Sequence, residues 1–320
     1  MSPISAPRIP VFRSLPEVPA GYGPSVAAIG NFDGVHIGHQ QILSAVVAQA
    51  RSLHARAVAI TFDPHPDRFL RPAQAPLLLT PIAERVRLLA SAGMDAVLVL
   101  PFDAALAQLS AREFVRRVLV DALALRGLHE GGNFRFGHRA EAGMHELAAF
   151  GAEFGFTLTV HDAVHVRSME VSSSAIRALV AAGDVKRARW MLGRPFAVLS
   201  WPAHGRGVGS QLLVPTVNLA AYDGQLPGFG VYVTRLTVNG SRRFQAVTNV
   251  GNRPTFKGVG FGVETHILDF EPVDLDETTP LELEFLHRLR PEIQWPTPEA
   301  LKAQILKDVA RAGRYFRLCR

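Results

Sequence analysis

The chain has 320 residues, of which 48% are hydrophobic and 19% charged, with a formal net charge of +6. This length and composition predict a folded globular protein of about two domains and argue against a disordered chain. Cys319 is the single cysteine, which excludes an internal disulfide and a CxxC metal or redox site. Because we find no signal-peptide pattern and no apolar run of bilayer length, we expect a cytoplasmic protein without a membrane or nucleic-acid partner.

The first 185 residues alternate short apolar runs with helical patterns. The predicted strands are Ser25–Gly30, Ala57–Phe62, Ala96–Leu100 and Thr157–Val160, and the predicted helices are Gly38–Leu53, Gly143–Phe154 and Ser172–Ala182. Caps indicate two further helices, one with Thr80 as N-cap, Pro81 at N1 and Gly93 as its stop, and one behind a capping box of Ser110 and Glu113. This alternation predicts a parallel sheet covered on both faces, with ligands beyond the carboxyl ends of its strands.

The pattern after about residue 190 is that of an antiparallel sheet. An Asn239-Gly240 pair between two alternating runs is a strong hairpin signal. The predicted strands are Val231–Val238, Phe244–Val250, Gly262–Asp269 and Leu281–Leu289, and Thr297-Pro298 opens a closing helix that runs towards Ala312. We therefore predict an extended lead-in at 1–24, a Rossmann-like doubly wound α/β domain at 25–185 and an antiparallel β-barrel with a C-terminal helix at 186–320. The predicted hinge lies between Gly183 and Pro195.

The segment from Gly30 to His39 follows a predicted strand and opens a helix. Unpaired backbone N–H groups and the helix dipole favour phosphate at such a point. Gly34 and Gly38 let a ligand approach the backbone closely, and His36 and His39 share one helix face. Two imidazoles on one face can donate to phosphate oxygens and stabilise charge on a reacting phosphorus. The simpler interpretation is a surface histidine pair in an ordinary turn.

The string His36-Ile37-Gly38-His39 resembles the HxGH signature of the nucleotidyltransferase superfamily, and more closely that of the bifunctional bacterial riboflavin kinase/FMN adenylyltransferases. Val171–Arg177 resembles a second signature of that family, with Ser174 where Thr is usual, although alone it would be a plain serine N-cap. Serines at a helix start bind anions, and an arginine can fork onto a phosphate. The resemblance implies an adenylyltransferase domain with His36, His39 and Arg177 as catalytic residues. It also implies ATP contacts from Gly30, Asn31, Gly34, Gly38, Ser172, Ser173 and Ser174.

Two more stretches, 61–66 and 132–137, resemble family elements that line the flavin and ATP pockets. The resemblance implies flavin binding through hydrogen bonds and stacked rings by Phe62, Pro64, His65, Asn133, Phe134 and Arg135. His65 can equally be a structural histidine held between two prolines. The strand before Gly132, Arg126–Gly131, departs from the pattern because it is far more polar than a buried parallel strand.

The second half carries a kinase-like site. Pro215-Thr216-Val217-Asn218 resembles the PTxN signature of riboflavin kinases, which implies that Thr216 and Asn218 offer oxygen ligands to the Mg²⁺ of ATP. Glu264 is the predicted general base for the ribityl 5′-hydroxyl, on the strand face opposite Val263, Thr265 and Ile267. An ordinary turn and a solvated surface glutamate are the simpler interpretations. Upstream, a flexible loop able to fold over phosphates contains Gly205, Arg206, Gly207 and Gly209.

The flap at Ser210–Val214 departs from the family pattern, because one Arg and one Gly are missing, although Arg206 can supply the charge. The resemblance implies FAD biosynthesis, with ATP, riboflavin, FMN and FAD as substrates and products. A nearer alternative is an adenylyltransferase whose second domain only binds flavin. A non-catalytic flavin-binding protein and a class I aminoacyl-tRNA synthetase rank lower, since the phosphate-handling residues are present and no KMSKS-type loop is found.

Overall fold

The computed structural model describes residues 9–203, 216–255, 258–268 and 275–319. The chain divides into two compact units between Ser173 and Ser174. The first unit is built on a six-stranded sheet of order β1-β4-β3-β2-β5-β6, in which every neighbouring pair is parallel. Its strands are β1 (Val11–Phe12), β2 (Ser25–Ile29), β3 (Arg56–Phe62), β4 (Ala96–Leu100), β5 (Leu125–Gly131) and β6 (Thr157–His161).

Helices and an apolar core cover each face of this sheet, as predicted. Alternate residues of β3 face opposite ways: Val58 and Ile60 lie in one core, and Ala57 and Ala59 lie in the other with α1. The helices are α1 (Ile37–Ser52), α2 (Pro66–Leu70), α3 (Ile82–Ser91), α4 (Ala104–Ala107), α5 (Ala111–Phe114), which continues as a π-helix over Val115–Asp121, and α6 (Met144–Phe154). A small ribbon of β7 (His165–Val166) and β8 (Met169–Glu170) follows β6.

Local capping signals were mostly confirmed. The Ser110 and Glu113 capping box is present, and Gly93, with φ +93°, directly follows Ala92, the C-cap of α3. The predicted N-cap at Thr80 is wrong, because α3 begins one residue later behind Pro81 and has no side-chain cap. The Thr80 hydroxyl instead bonds the loop after β2. The lead-in also contributes the two-residue edge strand β1, which is too short to leave a periodic pattern.

The unexpectedly polar strand β5 lies inside the sheet, between β2 and β6. His129, only 4% exposed, has Nε2 at 2.7 Å from Gln49 Oε1 and Nδ1 at 2.9 Å from His161 Nε2. Gly127 makes room for Gln49, since a Cβ there would lie 2.3 Å from Gln49 Oε1. Both ring nitrogens of this buried histidine therefore have partners distant in sequence.

His129 makes the free energy of unfolding depend on pH. Burial, with a smaller effect of His161, lowers the pKa of His129 to about 4. Since the unfolded chain protonates first as the pH falls, stability contributed here is complete at neutral pH and is lost between about pH 6.5 and 4, by at most about 3 kcal/mol. Between about pH 7 and pH 5, the free energy of unfolding, measured in urea, should fall less in His129→Val than in the parent protein. The same pH dependence in both proteins would contradict this account.

The second unit contains a seven-stranded antiparallel sheet of order β10-β11-β14-β13-β12-β15-β9. The two end strands, β9 and β10, are halves of one bent segment joined at Trp201, so the sheet curls round, in agreement with the predicted antiparallel β-barrel. Asn239 and Gly240, with φ +49° and +64°, form the predicted hairpin turn. The strands are β9 (Phe196–Ser200), β10 (Pro202–Ala203), β11 (Thr216–Leu219), β12 (Gly230–Val238), β13 (Arg242–Thr255), β14 (Gly258–Ile267) and β15 (Leu281–Pro291).

Among the described residues, the helices that accompany this sheet are α7 (Ser173–Ala181), α8 (Val185–Leu192) and α9 (Pro298–Leu318). α8 occupies most of the predicted hinge, where Asp184 caps its start and Gly193 ends it in the left-handed conformation. α9 begins at the predicted cap Thr297 and packs on the outer sheet face. Arg290 on β15 holds it through a 2.9 Å ion pair with the buried Asp308.

Candidate functional site

The loop between β2 and α1 is tightly bent and sits at the carboxyl edge of the sheet. Phe32, Gly34 and Val35 have φ values of +46°, +83° and +38°. Only glycine adopts this region without strain, and a β-branched residue there is an outlier that costs about 1–3 kcal/mol. Val35 is held by its N–H to the Phe32 carbonyl at 3.0 Å, and its carbonyl accepts from Gln40 at 2.8 Å. Strain of this kind is typical of ligand-binding loops.

A buried carboxylate fixes the middle of the loop. Asp33 accepts hydrogen bonds from the backbone N–H groups of Leu79 and Thr80 at 3.0 and 2.9 Å, and from the Thr80 hydroxyl. Thr80 Oγ1 in turn accepts from the Gly34 N–H at 2.9 Å. We assigned Asp33 no role from the sequence, because its partners lie more than 40 residues away. These hydrogen bonds of Asp33 and Thr80 hold the loop in one conformation before a ligand binds.

The predicted histidine pair lies at the start of α1. His36 is its N-cap, with Nδ1 3.3 Å from the His39 backbone nitrogen, so neutral His36 carries its proton on Nε2. The two rings are stacked with centroids 3.6 Å apart. Gly38 permits this, since a Cβ there would lie 3.2 Å from His36 Nδ1. His39 Nδ1 is buried and has no hydrogen-bond partner within the described part of the chain. The pair thus presents imidazole nitrogens where a helix N-terminus favours anions.

A buried arginine of α3 acts on this pair through its charge. Arg85 is 1% exposed and donates to Thr61 Oγ1, the Phe62 carbonyl and the Thr80 carbonyl at 3.2 to 3.3 Å. Burial, together with His36 and Arg85, lowers the pKa of His39 well below that of a free histidine. His39 is therefore neutral at pH 7, a form that donates one hydrogen bond without adding charge. No local sequence signal marks Arg85, because it occupies an ordinary helical position.

One serine of the second predicted signature, Val171–Arg177, contacts the loop that precedes the histidine pair. Ser173 Oγ donates to the Asp33 carbonyl at 2.8 Å, and Ser172 directly precedes α7. Ser174 and Arg177 fall in the second compact unit, where Arg177 Nη1 lies 3.3 Å from Ser174 Oγ. The structure thus joins Ser173 to the loop that contains Gly30, Asn31 and Gly34.

The first predicted flavin-binding stretch contacts the same loop. His65 caps α2 by accepting from the Asp67 N–H at 3.2 Å, and its Nε2 lies 3.1 Å from the Asn31 amide. His65 is therefore both a structural cap and a neighbour of a predicted ATP ligand. Phe62, at the end of β3, packs edge-on against Phe102, and Pro64 lies between Phe62 and His65.

The second flavin stretch has its own internal contacts. Phe134 stacks on Phe136 with ring centroids 5.5 Å apart, and Asn133 is exposed. The Arg135 guanidinium donates to the Ala140 carbonyl at 2.7 Å. These bonds order the 132–142 turn, which is also closed by paired backbone bonds between Phe136 and Ala142.

The kinase-like residues share one face of the curled sheet. Asn218 on β11 and Asn249 on β13 both lie directly opposite Glu264 on β14, and Thr216 lies opposite His266. Glu264 is exposed, whereas Val263, Thr265 and Ile267 are buried on the other face, as predicted. Directly opposite residues have Cβ atoms about 4.5–5.5 Å apart, within reach of one small ligand. Asn249 is a member of this row that the sequence did not single out. Gly205, Arg206, Gly207, Gly209 and the flap at 210–214 lie outside the described residues.

The first unit is thus of the nucleotide-binding α/β class, with phosphate-binding geometry at the helix after β2. Residues 20–175 match the FAD synthetase family model, and residues 192–316 match the riboflavin kinase model. A bifunctional riboflavin kinase/FMN adenylyltransferase of Pseudomonas fluorescens is 38% identical over 90% of this chain and 91% of its own length. The chain belongs to the family of bifunctional riboflavin kinase/FMN adenylyltransferases.

Other relatives extend the likeness. The enzyme of the same name from Escherichia coli K12 is 33% identical and aligns with 92% of this chain and 93% of its own. A crystal structure from Streptococcus pneumoniae, described as that of a macrolide-efflux protein, has a TM-score of 0.83 at 26% identity and covers 93% of this chain and 96% of that one. Within the described ranges, no helix combines the length and the apolar character that a membrane span requires.

Proposed function

We propose that this chain makes FAD from riboflavin in two ATP-dependent steps. The observation that carries the proposal is that the models of both activities match the chain in order, one on each side of the change from parallel to antiparallel sheet. We assign adenylyl transfer to residues 25–185 and phosphorylation of riboflavin to residues 186–320, in the cytoplasm.

In the first step the ribityl 5′-hydroxyl of riboflavin attacks the γ-phosphorus of ATP, and ADP leaves with FMN formed. We assign Glu264 as the base that takes the hydroxyl proton. Thr216 and Asn218, two residues apart on one face of β11, offer hard oxygen ligands that fit Mg²⁺. When bound, Mg²⁺ neutralises charge on the ATP phosphates.

In the second step a phosphate oxygen of FMN attacks the α-phosphorus of a second ATP, and pyrophosphate leaves with FAD formed. This reaction needs no protein nucleophile, so catalysis is positioning and charge stabilisation. The helix start with its histidine pair suits that demand, and Arg177 and the serines of 172–174 are assigned as further phosphate contacts. Phe62, Pro64, His65, Asn133, Phe134 and Arg135 are assigned to the flavin.

Labelled ATP tests both steps at once. With riboflavin as substrate, we expect label from the γ-phosphate in FMN and FAD, and label from the α-phosphate in FAD alone. If supplied FMN yields FAD but riboflavin yields no FMN, the chain is an adenylyltransferase whose second unit only binds flavin. The altered flap at 210–214 motivates that alternative. If neither product forms, the proposal is wrong.

A further inference from the structure

A buried glutamate on β5 has no part in the chemistry described above. Glu130 is 3% exposed, and its Oε1 accepts a hydrogen bond from the Ile29 N–H at 2.6 Å. Within the described residues no cation pairs with this carboxyl group, and its other oxygen makes no hydrogen bond. Burial raises the pKa of Glu130 well above that of a free glutamate. Glu130 is therefore a buried hydrogen-bond acceptor at the carboxyl end of β5, where burial favours its neutral form.

Its position coincides with the point where two strands separate. β2 and β5 pair at Val26 with Gly127, at Ala27 with Leu128 and at Ala28 with His129, and the pairing ends there. The next N–H of β2, that of Ile29, bonds the Glu130 side chain rather than a β5 carbonyl.

On the other side of β2 the sheet continues, because the Gly30 N–H donates to the Ile60 carbonyl at 3.0 Å. The opening therefore lies on the β5 side alone. Strands β3 and β4 extend the sheet to one side of β2, and β5 and β6 extend it to the other. In doubly wound sheets the ligand crevice forms where the strand order reverses in this way.

We propose that Glu130 is a positioning residue for adenylyl transfer: its carboxyl group takes the last N–H of β2 and so aims the loop from Gly30 to His36 at ATP. The anchored residue, Ile29, directly precedes that loop. The inference rests on the proposed adenylyl-transfer function of the first unit.

Three variants distinguish the effect of the Glu130 hydrogen bond from the effects of its ionisable group and of a disturbed fold. Glu130→Gln keeps the acceptor oxygen without an ionisable group, and we expect its KM for ATP to stay within about twofold of the parent value. Valine is a good strand residue, so Glu130→Val removes only the acceptor. Glu130→Asp shortens the side chain by one methylene and so moves the acceptor away from the Ile29 N–H. Both should raise the KM for ATP in FAD formation about tenfold. Phosphorylation of riboflavin should not change in any of them.

The assays are initial rates of FAD formation from supplied FMN, ATP binding by calorimetry and thermal unfolding, with Glu153→Gln on the exposed face of α6 as the control. An unchanged KM for ATP in folded Glu130→Val would overturn the inference. If that variant does not fold, the other two decide, since equal KM values for Gln and Asp at position 130 would overturn it too. Failure of the parent protein to convert FMN would instead refute the proposed function.

Discussion

Replacement of His39 by Ala is expected to slow FAD formation from FMN by about 10²- to 10³-fold and to leave riboflavin phosphorylation intact. The His39 ring stacks on His36 at the start of α1, and its Nδ1 lacks a partner within the described part of the chain. A donor fixed in advance and shielded from water stabilises developing charge far better than an exposed one. The rates of the two steps, measured separately with FMN and with riboflavin, check this expectation.

The matched control is His145→Ala, because the His145 side chain is 94% exposed on α6 in the same unit. That variant should keep both rates. Thermal unfolding of both variants separates a lost catalytic group from a lost fold. If His39→Ala lost both steps at unchanged thermal stability, or lost neither, the assignment of adenylyl transfer to this helix start would be wrong.

Features encoded by residues close in sequence could be predicted. The Ser110 and Glu113 box, the Thr297 cap and the Asn239-Gly240 turn each depend on bonds or backbone angles within four residues. The parallel sheet followed from the alternation of short apolar runs with helical patterns. The histidine pair was placed correctly because His-x-Gly-His after a strand fixes both the helix start and its shared face.

Features that depend on distant partners could not be predicted. The Thr80 hydroxyl bonds Asp33 and Gly34, so the cap that its local sequence indicates is not made. Arg85 reads as an ordinary helix residue, and only its contacts with the end of β3 and with Thr80 show that it is buried beneath the site.

The burial of strand β5 could not be predicted either, because it also depends on distant partners. Its polarity argued against a buried strand, yet Gln49 and His161 pair with the two ring nitrogens of His129, and the Ile29 N–H bonds one oxygen of Glu130. A buried polar group costs little once it is paired, so polarity alone does not exclude burial. The partners come from α1, β6 and β2, and no local pattern could have identified them.

Replacement of Glu264 by Gln is expected to slow riboflavin phosphorylation by about 10²- to 10⁴-fold, the usual contribution of a general base. Glutamine keeps the size of the side chain in the row between Asn218 and Asn249 but cannot take the hydroxyl proton. Formation of FAD from supplied FMN should not change, since the adenylyl-transfer residues lie elsewhere in the chain. Initial rates of FMN formation from riboflavin and of FAD formation from FMN measure the two effects.

The matched control is Glu282→Gln, which alters a strand glutamate of the same sheet at a position opposite Thr237 and Leu199 rather than in that row. It should leave both rates as they are. Because Glu264 is exposed and lies on the opposite face from the buried Thr234, Thr248 and Thr265 hydroxyls, its replacement should not lower thermal stability. If Glu264→Gln phosphorylated riboflavin at the parent rate, the proton would have to leave through another group. The row formed by Asn218, Glu264 and Asn249 would then bind the substrates without supplying the base.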